Sequence, residues 1–97
     1  MSAYFLLCNF TDQGIRTIKD MSRRRAAARE LAKTLGVEIK AGFMALGAYD
    51  LIVQCEAVSD EAMAAFVLSL GAKGNVRTQT IKVFPEADAD KIASTLV

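Results

Sequence analysis

An α+β fold, a four-stranded antiparallel sheet with helices on one side, is what three features of the sequence predict. Apolar runs of strand length alternate with capped helical segments in the order βαββαβ, and a short Gly-Ala-Tyr-Asp turn joins the second and third strands as a hairpin. The chain of 97 residues has room for one core only, so a single domain spanning 1–97 is expected.

The first strand is read at Ala3–Asn9, a compact apolar run. Thr11-Asp12-Gln13-Gly14 has turn chemistry, with short polar side chains and a glycine free to take positive φ. Ile15–Met21 is a short polar segment that allows an extra helical turn. Ser22 is placed to cap a helix ending near Leu35, with Gly36 as its stop and Ala27, Ala28, Leu31 and Leu35 as its inward stripe. Arg25, Arg29 and Lys33 recur every four residues on another face.

Val37–Leu46 and Leu51–Glu56 form the hairpin around Gly47–Asp50. Ser59 caps the second helix, and Asp60 and Glu61 favour its positive end. That helix runs to about Leu70 and stops at Gly71. Gly74-Asn75 turns into a fourth strand, Val76–Phe84, which Pro85 ends while opening a C-terminal helix through Leu96. Four strands and two helices in this order predict a ferredoxin-like layer.

Such a sheet, covered by helices on one face, should alternate apolar and polar residues. The first strand does not: Tyr4, Phe5, Leu6, Leu7 and Cys8 are consecutive. Leu51, Ile52 and Val53 repeat the pattern in the third strand, and these two strands are central in this topology. Leaving several large side chains wet would forfeit a few kcal/mol at about 25 cal/mol per Å². A second copy packed sheet to sheet removes that cost; the alternative is a C-terminal helix folded across the open face. The second helix is uncharged from Ala62 to Leu70 and asks for cover all round, from the C-terminal helix or from further subunits beyond a dimer.

Composition narrows the chemistry. The hydrophobic fraction is 53% and the net charge +1, which provides no field for nucleic acid or membrane surfaces. No apolar run approaches the ~18 residues of a membrane span, and the first residues lack the basic start of a signal peptide, so a cytoplasmic protein is expected. Cys8 and Cys55 lie in apolar runs and read as buried reduced thiols, although neighbouring parallel strands could bring them together. Histidine is absent, which removes Ser-His and Cys-His nucleophile pairs and imidazole-bound zinc; no metal and no cofactor are expected.

Three constellations remain as candidate sites. Arg23, Arg24 and Arg25 at a helix start oppose the helix dipole unless anions neutralise them, so Arg16, Lys19 and Arg25 are candidates for holding phosphate, carboxylate or sulfate. The bland reading pairs these cations with Asp20, Glu30 or a partner subunit. Tyr49 and Asp50 could form an acid/base pair, or simply build the hairpin turn. Thr11, Asp12 and Gln13 follow the first strand, where ligands often sit, or only make the turn.

Thr11-Asp12-Gln13-Gly14-Ile15 with Lys19-Asp20 and Arg25, then Gly47-Ala48-Tyr49-Asp50, then Gly74-Asn75-Val76-Arg77-Thr78, together resemble the GYD-domain family over nearly the whole chain. Here Ala48 separates the Gly from the Tyr. The resemblance implies a small bacterial protein of dimeric α/β-barrel type and carries over no catalytic residue. The sequence therefore leads to a homo-oligomer binding a small, partly anionic molecule between sheet and helices near Thr11, Arg16 and Arg25. Two alternatives stand beside it: a metal-free enzyme acting on a carbonyl or enol-like substrate, and an assembly protein without ligand.

Overall fold

The computed structural model describes residues 1–97. Its elements are β1 (Ser2–Phe10), α1 (Asp12–Arg16), a 3₁₀ turn (Ile18–Asp20), α2 (Met21–Thr34), β2 (Val37–Met44), β3 (Leu51–Ala57), α3 (Asp60–Ala72), β4 (Val76–Val83) and α4 (Glu86–Ser94). The strands form one antiparallel sheet in the order β2-β3-β1-β4, so the ferredoxin-like arrangement stands, with β1 and β3 central.

Register sorts the side chains. Tyr4, Leu6 and Cys8 of β1 stand opposite Cys55, Val53 and Leu51 of β3 on the helix-covered face. There Phe66 and Met63 of α3 and Ala32 of α2 close the core, with Phe66 only 1% exposed. The other face carries Ala3, Phe5 and Leu7 of β1, Ile52 of β3, and Ile81 and Val83 of β4. Phe43 of β2 lies opposite Ile52 and is 58% exposed. No element covers this second face.

α4 does not cover it. Every residue of α4 is exposed, and the helix packs on neither the open sheet nor α3. The C-terminal cover, weighed as the alternative to a second copy on the sheet and to further subunits on the second helix, is therefore absent from the chain. On α3 the consequence is an outer face of Ala64, Ala65 and Leu68 open to solvent, Leu68 at 73%.

Several boundaries differ from the sequence reading for identifiable reasons. Thr11–Gly14 is a capped helix start and no free turn: Thr11 Oγ1 accepts from the Gly14 amide at 3.1 Å and α1 follows. Gly14 has no positive φ; it is needed because a Cβ there would stand 2.0 Å from the Asn75 carbonyl oxygen. Gly14→Ala is accordingly expected to cost about 1–3 kcal/mol through overpacking, measured by chemical denaturation.

Ser22 lies inside α2, which starts after Asp20, and Ala32, fully buried, takes the central place in its inward stripe while Ala27 is exposed. Gly71 is carried within α3, and the chain turns instead at Gly74, φ +83°. Gly36, at φ +80°, stops α2 as expected. β2 ends at Met44, two residues short of the expected Leu46, after a register shift between Ile39 and Ala41.

At the start of α3 the Ser59 hydroxyl accepts from the Ala62 amide at 3.1 Å. Beside it the Tyr4 hydroxyl donates to Asp60, whose carboxylate also takes Lys82 Nζ at 3.0 Å. Tyr4 and Lys82 are register partners, so this trio ties α3 to two strands. The Tyr4 hydrogen bond, then Lys82, holds the Asp60 carboxyl below its ordinary value. The stability it brings is present above the unfolded carboxylate pKa of about 3.9 and is lost as pH falls through the lower folded value. Asp60→Asn is expected to flatten that part of the acid denaturation profile, followed by circular dichroism.

Candidate functional site

Between the helix-covered face of the sheet and the first half of α2 lies a cavity of about 700 Å³. Its cause is local. Ala27 and Ala28 of α2 are too short to reach the sheet, and Gly42 on β2 has nothing within 4 Å of where its Cβ would be. Leu6, Cys8, Leu51 and Val53 form the floor, Phe66 and Leu70 of α3 one wall, and Met21, Ala27 and Ala28 of α2 another. No charged side chain is buried in the core, and its one buried hydroxyl, that of Tyr4, is outside the cavity lining and engaged by Asp60.

Charged groups gather instead around the cavity's margin, Arg23, Arg24, Arg25, Arg29 and Lys73 against the single carboxylate of Asp20, and Asn75 is the one neutral polar side chain of the lining. Five cations and one anion leave a net +4 there, in a chain whose total is +1. Three of the five are occupied. Arg23 pairs with Asp20 at 2.7 Å. Arg24 donates to Thr17 Oγ1 at 2.6 Å and to the Gly14 carbonyl at 3.1 Å, where the negative end of α1 welcomes it. Arg29 donates to the Ile39 carbonyl at 3.2 Å, tying α2 to β2. Arg25 and Lys73 make no side-chain hydrogen bond or ion pair, and both lie exposed at the margin.

The structure divides the residues singled out from sequence. Arg25 lines the cavity; Arg16 and Lys19 do not, and stay on the exposed surface. Thr11, Asp12 and Gln13 come together in a separate, shallow polar cleft with Gly74 and Arg77. Thr11 and Gln13 are engaged there in holding α1 to the loop before β4. The Thr11 hydroxyl donates to the Gly74 carbonyl, and Gln13 Nε2 donates to the Lys73 carbonyl at 2.9 Å and to Asn75 Oδ1 at 3.0 Å.

Tyr49 and Asp50 form no pair with each other. The Tyr49 hydroxyl donates to Gln79 Oε1 at 2.7 Å, whereas Asp50 Oδ2 accepts from the Phe10 amide at 2.9 Å and fastens the hairpin to β1. Cys8 and Cys55 lie on antiparallel strands, Cys55 opposite Tyr4 and Cys8 opposite Leu51, so the parallel approach considered from sequence does not occur. Both are free and buried, and burial pushes each thiol up to about 11. No three His, Cys, Asp or Glu side chains converge on a possible metal position.

Lys73 and the gathering of the apolar walls around a cavity were not signalled in the sequence. The run Arg23–Arg25 and the regular spacing of Arg25, Arg29 and Lys33 signalled that α2 presents a cationic face.

Fold and site together define a small ferredoxin-like α+β protein with one bare sheet face and a cation-rimmed apolar cavity under α2. The chain belongs to the GYD-domain family, whose model matches residues 4–93. It is 33% identical over 89 residues to a Thermus thermophilus protein named glutamine synthetase and cystathionine beta-lyase binding protein, covering 91% of this chain and 94% of that one. Among solved structures it resembles MtbAldR, with TM-score 0.68 at 16% identity, over 87% of this chain and 52% of that chain. It also resembles FFRP-DM1, with TM-score 0.57 at 20% identity, over 87% of this chain and all of that one. At these identities the two structures speak to fold alone. No helix is long and apolar enough to cross a membrane.

Proposed function

We propose that this GYD-domain protein is a cytoplasmic, self-associating binding protein that holds a small, partly anionic molecule in the cavity between α2 and the sheet. The observation that carries the reading is the concentration of net +4 around an apolar cavity in a nearly neutral chain. Such a site draws anions from solution, and its volume falls within the ~300–1,000 Å³ range of ordinary small-molecule pockets. A purely structural assembly protein would fill this interior with side chains. The metal-free enzyme would act through Asp, Tyr or Arg; of the acid/base candidates, Tyr49 and Asp50 lie outside the cavity and apart in their bonding.

Self-association rests on the bare sheet face. The chain exposes 6561 Å², whereas roughly 5,400 Å² is typical of a monomer of this mass. The projecting α4 accounts for part of the excess, and the open sheet for another part. A standard interface removes ~800 Å² per partner, so one sheet-to-sheet contact could absorb most of it. The ends of the face also suit an opposed second copy. Glu56 lies at the Ala3 end and Arg77 at the Asn9 end, so strands reversed across a two-fold axis would bring opposite charges together.

Thermal melting tests the ligand reading. A bound anion at about 100 times its Kd stabilises by about 2.7 kcal/mol, which raises Tm by about 10 °C or more in a domain this small. Arg25→Ala is expected to shrink that shift markedly. A shift unchanged in Arg25→Ala would remove Arg25 from the site.

A second reading, protein binding, is supported by the name of the Thermus relative and by the open apolar face of α3 at Ala64, Ala65 and Leu68. Calorimetry with purified glutamine synthetase and cystathionine beta-lyase from the same cell tests it. Binding weakened at least tenfold by Leu68→Lys would support this face as the contact; binding indifferent to that change would place the contact elsewhere.

A further inference from the structure

We infer that the ligand of the cavity is a single-headed carboxylate with an extended apolar body, such as a medium-chain or aryl-alkyl acid. This rests on the reading of the cavity as an anion site and goes further by assigning the chemistry of both ends of the molecule. The inside of the cavity presents Leu6, Leu51, Val53, Phe66 and Leu70, and the one neutral polar side chain of the lining, the half-buried Asn75, has its Oδ1 already taken by Gln13. A polar substituent taken deep into this space would lose its water without replacement, which a sugar or nucleotide does not tolerate.

The margin is the opposite. Arg23, Arg24 and Arg29 are held by partners within the chain, while Arg25 and Lys73 are without one. Arg25 stands on α2 and Lys73 immediately follows α3, so the free cations come from the two helices that wall the cavity. A carboxylate at the margin gains charge-assisted hydrogen bonds without burying its charge, and the apolar body behind it displaces water from the walls. Acid and chain together match what the cavity offers; either alone matches half.

The Cys8 thiol belongs to the floor and takes no part in binding charge. Burial keeps it protonated, so it adds no negative charge that would oppose the ligand. The bare sheet face is the competing apolar surface on the same molecule, and the variants below separate the two.

The test is isothermal titration calorimetry of the full chain with acetate, hexanoate, octanoate and decanoate, alongside inorganic phosphate and decyltrimethylammonium. Each added methylene should tighten carboxylate binding about three- to fourfold until the cavity is full. Phosphate and the cationic amphiphile should bind at least tenfold more weakly than decanoate. Arg25→Glu, at an exposed position that folding does not require, should weaken decanoate at least tenfold. Ala28→Trp should abolish binding by filling the cavity, provided its circular dichroism is native. Ile52→Lys, on the bare sheet face, should leave decanoate affinity within about twofold.

Phosphate binding as tightly as decanoate, or a flat dependence on chain length, would overturn the assignment of ligand class while leaving an anion site in place. Decanoate binding that ignores Arg25→Glu but is lost in Ile52→Lys would move the amphiphile to the sheet and overturn it as well. If neither phosphate nor any carboxylate binds, the anion-site reading falls along with it.

Discussion

Ile52→Lys is expected to turn the protein into monomers at micromolar concentration while leaving its sheet intact. Ile52 stands near the middle of the uncovered face, opposite Leu7 on β1 and Phe43 on β2, with Phe5 and Ile81 nearby on the same face. In a subunit alone a lysine there can extend its ammonium into water, and stability changes little. Between two packed sheets the charge has no such exit and no carboxylate beside it. Leaving an unpaired charge in an interface costs several kcal/mol. A dissociation constant at least 100-fold weaker is therefore predicted, about 2.7 kcal/mol by the usual relation, measured by sedimentation velocity. Far-ultraviolet circular dichroism should be unchanged. A variant that unfolds would show instead that Ile52 supports the subunit itself.

Phe66→Ala is expected to cost about 3–5 kcal/mol, a large share of the ~5–15 kcal/mol that holds a domain of this kind together. Phe66 is the largest fully buried side chain and packs in one cluster with Leu6, Cys8, Cys55 and Met63. It also walls the cavity, so its removal joins new empty space to space already present. The core has little to spare, since only ten residues are buried. Equilibrium denaturation in urea gives the value, and a saturating cavity ligand should stabilise the parent chain but give little stabilisation to the variant, which has lost a wall of the cavity.

The larger features of the fold could be read from side-chain pattern because local chemistry and tertiary structure agree on them. Apolar runs became β1 and β3 in the centre of the sheet, Ser59 capped α3, Gly36 stopped α2 at positive φ, and Pro85 ended β4. The uninterrupted run Tyr4–Cys8 correctly announced two apolar faces. Disagreements arose where a distant contact decided. Gly14 looked like a turn glycine, yet its role is close approach to Asn75, 61 positions along the chain. Gly71 looked like a stop, yet α3 carries it because the helix is held by Met63 and Phe66 on its buried side. α4 was one of two possible covers, and every one of its residues stays exposed.

The site was half visible for a similar reason. Arg25 could be suspected from three cations gathered at one helix start. Its separation from Arg16 and Thr11 could not, because that depends on Arg24 folding back onto Thr17 and Gly14 and fixing α1 beside the loop before β4. The near-neutral composition also hid the cavity's charge. Carboxylates such as Glu56, Asp60, Glu86 and Asp88 lie away from it, while the cations of α2 border it. Net charge describes the chain as a whole; binding depends on where that charge is placed.

Native mass spectrometry of the protein purified gently from its own cell tests the binding claim most directly. The account predicts a species of two chains, each heavier than its polypeptide by one small organic acid that acid denaturation releases. A bare single chain, both as isolated and after incubation with excess decanoate, would contradict it.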